Sequence, residues 1–473
     1  MRASGFWCAP MPKHLIWPGW LLFLALFALA VLNDSAIVRF AGLRLDALFW
    51  LIAPFIAFVG ANVAHFSARY MDGDADAGRF WWRLAALLLT ALLLVAADHV
   101  GWFIAAWTAM AWWLADLIGY RHGQAAARAA GRIARRWLMA GAVAMALGLL
   151  WLSAAAGTPS MAGIGRHASQ HALPLAPLVM VILAAVVQCA LPPASRWLMS
   201  SMTAPTPVSA LMHAGMVNAG GILILRLAPA LAESPGLLHA LFVIGGLSAL
   251  IGSLFALVQS DIKRTLAAST VAQMGFMIAQ CGLGLFGAAA AHLMLHGLYK
   301  ARLFLGAGSA VQATSPAPRE QPPLWLWAVA LPSAAIAAAV FAEVSGKRMT
   351  DAGAVLVLFA AVCALRAALA VATAQALPVA TRTLAIPLLL LPGAAVYGAI
   401  VAGTNHLLAP LGLADLARPL HAVHALLVLS FAGIALWDLS GRLRRSPRAY
   451  AWIRAASAPA FSTIAPHRSL HDA

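Results

Sequence analysis

The chain has 473 residues, 63% of them hydrophobic and only 10% charged, and its mean hydropathy is +0.86. A soluble fold of this length has too little interior for so much apolar surface, so the composition excludes a soluble globular enzyme and makes the bilayer the natural solvent. The net charge of +16 is no nucleic-acid footprint, because the basic residues sit beside apolar runs, where they orient a membrane protein and meet anionic lipid.

Reading for predominantly apolar stretches of about 18 residues or more predicts an all-α polytopic membrane protein of about fourteen spans (13–15). They lie near 15–33, 47–66, 80–97, 100–118, 136–156, 174–192, 205–228, 237–259, 265–285, 286–312, 323–342, 353–376, 384–404 and 421–438. Arg2 and Lys13 precede the first, which reads as an uncleaved helix. Arg121, Arg128, Arg132, Arg135 and Arg136 fill the segment 119–137 without one acid, and Arg442, Arg444, Arg445, Arg448 and Arg454 follow the last span. The positive-inside rule places both basic segments in the cytoplasm. The expectation is a single integral membrane domain over 1–473, with a core at about 98–404 and a basic cytoplasmic tail at 439–473. No soluble domain is evident, so any catalytic module is expected on another chain. Cys8, Cys189, Cys281 and Cys363 have neither disulfide nor zinc spacing, and no cofactor is expected.

Three stretches carry chemistry. In the first, residues 187–229, an apolar helix ends in Pro192-Pro193 and a second opens at Pro205 and Pro207. That second helix holds His213 and Asn218 at membrane depth, with Gly215, Gly220 and Gly221 to loosen its backbone. A broken helix bearing a histidine is a mark of ion or proton traffic. Gln188, ahead of the break, can hydrogen-bond but not titrate, and Asn218 reads as glue between helices.

The second stretch is SDIKRTLAASTVAQMG, from Ser260. Asp261 and Arg264 read as a cytoplasmic turn. Lys263, near an acid and the polar Ser269 and Gln273, either stays in the headgroups or snorkels inward.

In the third, His292, His296 and Lys300 recur every four residues along one helix face. A charge at mid-membrane costs about 2.5–3.5 kcal/mol, so three titratable groups in a row need a reason. Histidine titrates near neutrality and both accepts and donates, which suits a proton relay; a hydrogen-bonded packing seam is the other reading. Their spacing alone does not make a metal site, for no third ligand accompanies the pair. Arg366, alone near the middle of the 353–376 run, must pair, line water or mark a misplaced span.

Together, TAPTPVSALMHAGMVNAGGILILRLAP, SDIKRTLAASTVAQMGFM and AAHLMLHGLYKARLFLGAGSAV resemble the proton-translocating antiporter-like family, which includes the large membrane subunits of complex I and of multisubunit sodium/proton antiporters. The resemblance covers roughly 188–312 and implies an antiporter-like fold with inverted repeats and discontinuous helices. It also implies an ion or proton path through His213, Lys263, His292, His296 and Lys300, supported by Gln188, Asn218, Asp261, Gln273 and Arg366. Two positions depart from the pumping members: Thr108 follows Trp107 where they have a glutamate, and Gln188 stands for their lysine. Complex I subunits of this type also run longer, with a lateral helix.

The chain looks more like the membrane subunit of the Dab-type inorganic carbon pumps. That likeness implies a bacterial inner-membrane transport subunit, not itself an enzyme, moving protons or sodium ions to drive a large zinc-binding partner that resembles a carbonic anhydrase. The alternatives it leaves are a proton-pumping subunit of an NADH-quinone oxidoreductase or hydrogenase-type complex, and a cation/proton antiporter subunit.

Overall fold

A computed structural model describes residues 17–32, 37–308, 324–373, 378–416, 418–439 and 446–459. The first half runs through α1 (Trp17–Leu32), a hairpin of β1 (Val38–Phe40) and β2 (Leu43–Leu45), α2 (Ala47–Tyr70), α3 (Ala77–Ala96), α4 (Val100–Ile118) and α5 (Ala125–Ala156), then short α6 (Met161–Ala168) and α7 (Leu175–Gln188). The chain continues as α8 (Arg196–Met199), α9 (Thr206–Ala214), α10 (Ala219–Arg226), α11 (Ala228–Ala232), α12 (Pro235–Leu257), α13 (Ile262–Gly282) and α14 (Phe286–Leu305). The second half holds α15 (Leu324–Ser345), α16 (Gly353–Ala372), α17 (Val379–Leu408), α18 (Ala422–Leu439) and a tail helix α19 (Pro447–Ala456).

Where the expected stretches are described, each contains helix. Among the described residues, nine segments are long and apolar enough by themselves to cross a membrane. The others are three shorter apolar helices, Trp17–Leu32, Leu175–Gln188 and Ala422–Asp438, and the charge-bearing α13 and α14. The architecture is that of a multi-pass helical membrane protein, with backbone polar groups satisfied inside helices as lipid demands.

Both basic segments carry helix. The 119–137 segment is not all loop, since α5 starts at Ala125 and carries Arg128, Arg132, Arg135 and Arg136 on its first turns. The alanine-rich sequence there favours helix, and arginine can lift its head out of an apolar layer while its stem stays inside. Asp116 on α4 pairs with Arg83 at 2.7 Å and Arg135 at 3.5 Å. In the tail, α19 docks on the end of α12: Ile453 is buried, and Arg454 donates to the Val258 carbonyl at 3.1 Å. Arg2, Lys13, Cys8, Arg442, Arg444 and Arg445 lie outside the described residues.

The helix opened by Pro205 and Pro207 is broken as its composition suggested. It leaves α geometry at Gly215, passes through a 3-10 turn at Met216–Asn218 and resumes at Ala219. Gly220 lets α10 approach α7 closely, because a Cβ there would stand 2.6 Å from the Ala185 carbonyl oxygen and from Cys189 Sγ. In the second half, Pro387 and Pro392 leave α17 a continuous helix. Asp415 caps α14 by accepting from the Gly287 amide at 2.8 Å and forms an ion pair with Lys347, which secures α14 against the second half.

Candidate ion path

The first turns of α13 organise the site. Asp261 caps the helix, accepting from the Arg264 amide at 2.8 Å, so this acid starts a helix rather than pairing with Lys263. One and a half turns further on, the Leu266 carbonyl oxygen receives the hydroxyls of Ser269 (3.0 Å) and Thr270 (2.9 Å). Lys300 of α14 reaches the same carbonyl with Nζ at 2.8 Å and also donates to Ser269 Oγ at 2.6 Å. Lys300 is 1% exposed, so the whole side chain lies in the interior with its amine on neutral oxygens.

His213 of α9 joins the same knot. Its Nδ1 lies 3.0 Å from Thr270 Oγ1. The threonine hydroxyl gives its proton to Leu266, so Nδ1 is the donor and Nε2 is left as the acceptor nitrogen. Nε2 is buried and has no hydrogen-bond partner. The ring stacks on Phe304 of α14, centroids 4.3 Å apart and 11° from parallel, which fixes its plane. A histidine on the broken helix and a lysine on α14 are thus joined through one carbonyl of α13.

Above Lys300 on the same helix, His296 and His292 stack with centroids 5.9 Å apart. Both are buried, and both have unpartnered Nε2 atoms. His292 also meets Phe276 at 5.4 Å and borders a cavity of about 530 Å³ shared with Gln273, Ser253, Cys363, Arg366 and Tyr397. The face therefore runs from the Leu266 knot past two imidazoles into this largely apolar chamber. Titratable groups with free nitrogens in a row can pass a proton by exchange of donor and acceptor roles.

Not every predicted site residue joins this knot. Lys263 is half-buried and reaches the Ala204 carbonyl at 3.4 Å, just ahead of α9, not Ser269, which Lys300 holds. Gln273 faces the large cavity. Asn218 does act as glue, its Nδ2 donating to the Ala214 carbonyl at 2.8 Å and the Leu293 carbonyl at 3.4 Å. Gln188 donates to the Met216 carbonyl. Arg366 pairs with Asp438 at 3.5 Å and its side chain is 58% exposed, so it meets an acid of its own at the cavity's edge.

Sequence reasoning missed Thr270, the Leu266 carbonyl, Ser209 and Gln280. Ser209 and Gln280 are fully buried, and their side-chain polar atoms have no partner. Ser209 stands one helical turn before His213, and Gln280 interrupts an apolar run, so both had a faint signal. A backbone carbonyl has none. Among the described residues, no group of three or more His, Cys, Asp or Glu side chains is placed to hold a metal ion.

Comparison with known proteins shows what the chain is similar to. The family described as "NADH:quinone oxidoreductase/Mrp antiporter, TM" matches residues 97–321, and "NADH-Ubiquinone oxidoreductase (complex I), chain 5 N-terminus" matches 39–81. A relative in Bacillus anthracis named "Probable inorganic carbon transporter subunit DabB" is 35% identical over 290 residues, covering 60% of this chain and 56% of that protein. "Probable inorganic carbon transporter subunit DabB1" of Halothiobacillus neapolitanus is 36% identical over 277 residues, covering 57% and 50%. "NADH-quinone oxidoreductase subunit L" of Mycobacterium tuberculosis is 36% identical over 277 residues, covering 58% and 44%. The chain therefore spans about half the length of the curated relatives it matches. Among solved structures, a chain of the Mrp complex from Dietzia shares the fold with a TM-score of 0.61 at 24% identity, covering 92% of this chain and 54% of that one.

Proposed function

Because the chain belongs to the NADH:quinone oxidoreductase/Mrp antiporter membrane-subunit family, we propose that it is the ion-conducting membrane subunit of an energy-coupled inorganic carbon uptake complex in a bacterial inner membrane. The observation that carries the conducting role is the Leu266 carbonyl, on which the His213–Thr270 and Lys300–Ser269 contacts converge. Protons or sodium ions would pass along His213, Lys300, His296 and His292, with Lys263 at the entrance. Catalysis would lie on a partner: a large zinc-binding, carbonic-anhydrase-like subunit that hydrates CO2 while ion flow through this chain drives it.

Two things support the carbon assignment over a redox pump. Relatives named for inorganic carbon transport match at 35–36% identity, and uncharged Gln188, just ahead of the broken helix, stands where the pumping members that the sequence resembles have a lysine. The relative named NADH-quinone oxidoreductase subunit L matches at a similar identity and keeps a complex I type subunit as the second reading.

The test is growth in ambient air of a host lacking carbonic anhydrase, with this chain, the partner gene, or both. Rescue by the pair and by neither alone is expected. Failure of the pair, or copurification of the chain with iron–sulfur subunits in place of a zinc protein, would overturn the reading.

A further inference from the structure

At the end of the molecule opposite the arginine-rich start of α5 lies a second cavity of about 320 Å³, between the β-hairpin, α6 and the end of α10. Arg44, Arg166 and Arg226 line it, with Asp46 and Ser169. Asp46 is 1% exposed. Its Oδ2 faces two guanidiniums at once, Arg226 Nη1 at 2.5 Å and Arg44 Nε at 3.2 Å, while Oδ1 accepts from the Phe49 amide. Arg226 spends Nη2 on the Val95 carbonyl at 2.6 Å; its side chain is 7% exposed, and its Nε has no hydrogen-bond partner.

The charge does not balance. Asp98, whose oxygens accept from the Ser160 hydroxyl and the Ala162 amide, also acts on Arg44, but with Arg39 opposite Arg44 in the hairpin two carboxylates face four guanidiniums, those of Arg39, Arg44, Arg166 and Arg226. Arg166 is exposed, with no ion-pair partner among the described residues. A clamp that fastens the hairpin to α10 needs Arg44, Asp46 and Arg226 only; it gives no role to a third guanidinium on the same cavity. With the arginine-rich end in the cytoplasm, the cavity opens on the outer face, where the positive-inside rule disfavours basic residues.

We propose that this cavity binds an oxyanion, either a free one or the phosphate of an anionic lipid. Planar, weakly hydrated guanidiniums match such oxygens in pairs, and the apolar rim formed by Pro410 and Leu411 limits competition by water. Arg166 provides the free charge, and Arg44 and Arg226, held in place by Asp46, provide the walls. The site is separate from the ion path and does not rest on the carbon-uptake reading.

The test uses the full-length protein in phosphatidylcholine nanodiscs. Its thermal unfolding is followed as chloride is replaced by phosphate, sulfate or bicarbonate at constant ionic strength, and again in discs containing phosphatidylglycerol. Saturable stabilisation by a free anion, or by phosphatidylglycerol alone, is expected and identifies the source. R166Q should raise the half-saturating concentration, or weaken the lipid effect, by about tenfold. R348Q, which changes an arginine in the link between α15 and α16 that does not line the cavity, should do neither. No stabilisation beyond chloride in any disc, or an R166Q response equal to the parent's, would overturn the proposal.

Discussion

The side-chain amide of Gln188 donates to the backbone carbonyl of Met216 across 2.8 Å, joining the last residue of α7 to the turn that breaks the neighbouring helix. Breaking a helix inside a membrane frees carbonyls that no water is present to satisfy. Gln188, 1% exposed, adds a second donor to a carbonyl that already accepts from the Ala219 amide. The contact is made by a neutral amide, so the break is braced at this point without a charge.

Gln188→Leu should therefore leave the Met216 carbonyl with the Ala219 amide as its remaining donor, lowering stability by about 0.5–1.5 kcal/mol, the net worth of one hydrogen bond. Thermal unfolding in detergent would show a lower midpoint. An unchanged midpoint would mean that the break is held by packing alone.

Thr270→Val removes the acceptor of His213 and one of the donors to Leu266. With its partner gone, the imidazole loses the contact that sets its tautomer, and ion flux into proteoliposomes under an imposed gradient should fall about tenfold, the equivalent of one net hydrogen bond. Thr270→Ser, which keeps the hydroxyl, should restore most of it. Equal flux in both variants would exclude the contact from the path.

Lys300→Met separates structure from function. Methionine has similar length and no polar head, so the fold is spared the cost of burying an amine and stability should hold or rise. Flux should be lost. If flux persists while stability drops, Lys300 is a packing element and not a carrier.

Outside the membrane, burial and the hydrogen bond from the Tyr120 hydroxyl to Asp74 Oδ1 at 2.9 Å hold the phenol above its ordinary range. An acid whose folded pKa is raised contributes stability that is present below its unfolded value, about 10, and is lost as pH rises beyond it. Melting curves taken across the alkaline range should show the parent losing stability relative to Tyr120→Phe. Parallel curves would count against the contact.

Much of the fold could be read from composition and order. Long apolar runs between polar breaks predict helices because lipid leaves the backbone no alternative, and α2, α4 and α12 begin within two residues of the expected spans. The interrupted helix was legible for the same reason: Pro205, Pro207 and Gly215 mark where α geometry is costly. The start of α5 was not, because polarity alone hides that its arginines ride on an alanine-rich helix.

The sequence by itself determined the class of the protein, the helix that must break and the four-residue spacing that puts His292, His296 and Lys300 on one face. These depend on local periodicity and on the solvent. Only the tertiary structure decided which groups meet: that Lys300, not Lys263, takes Ser269, that Arg366 is answered by Asp438, and that His213 and Lys300 converge on Leu266. The physical reason is that the meeting point is a backbone carbonyl, which every residue has; only the packing of α9 and α14 against α13 makes this one matter.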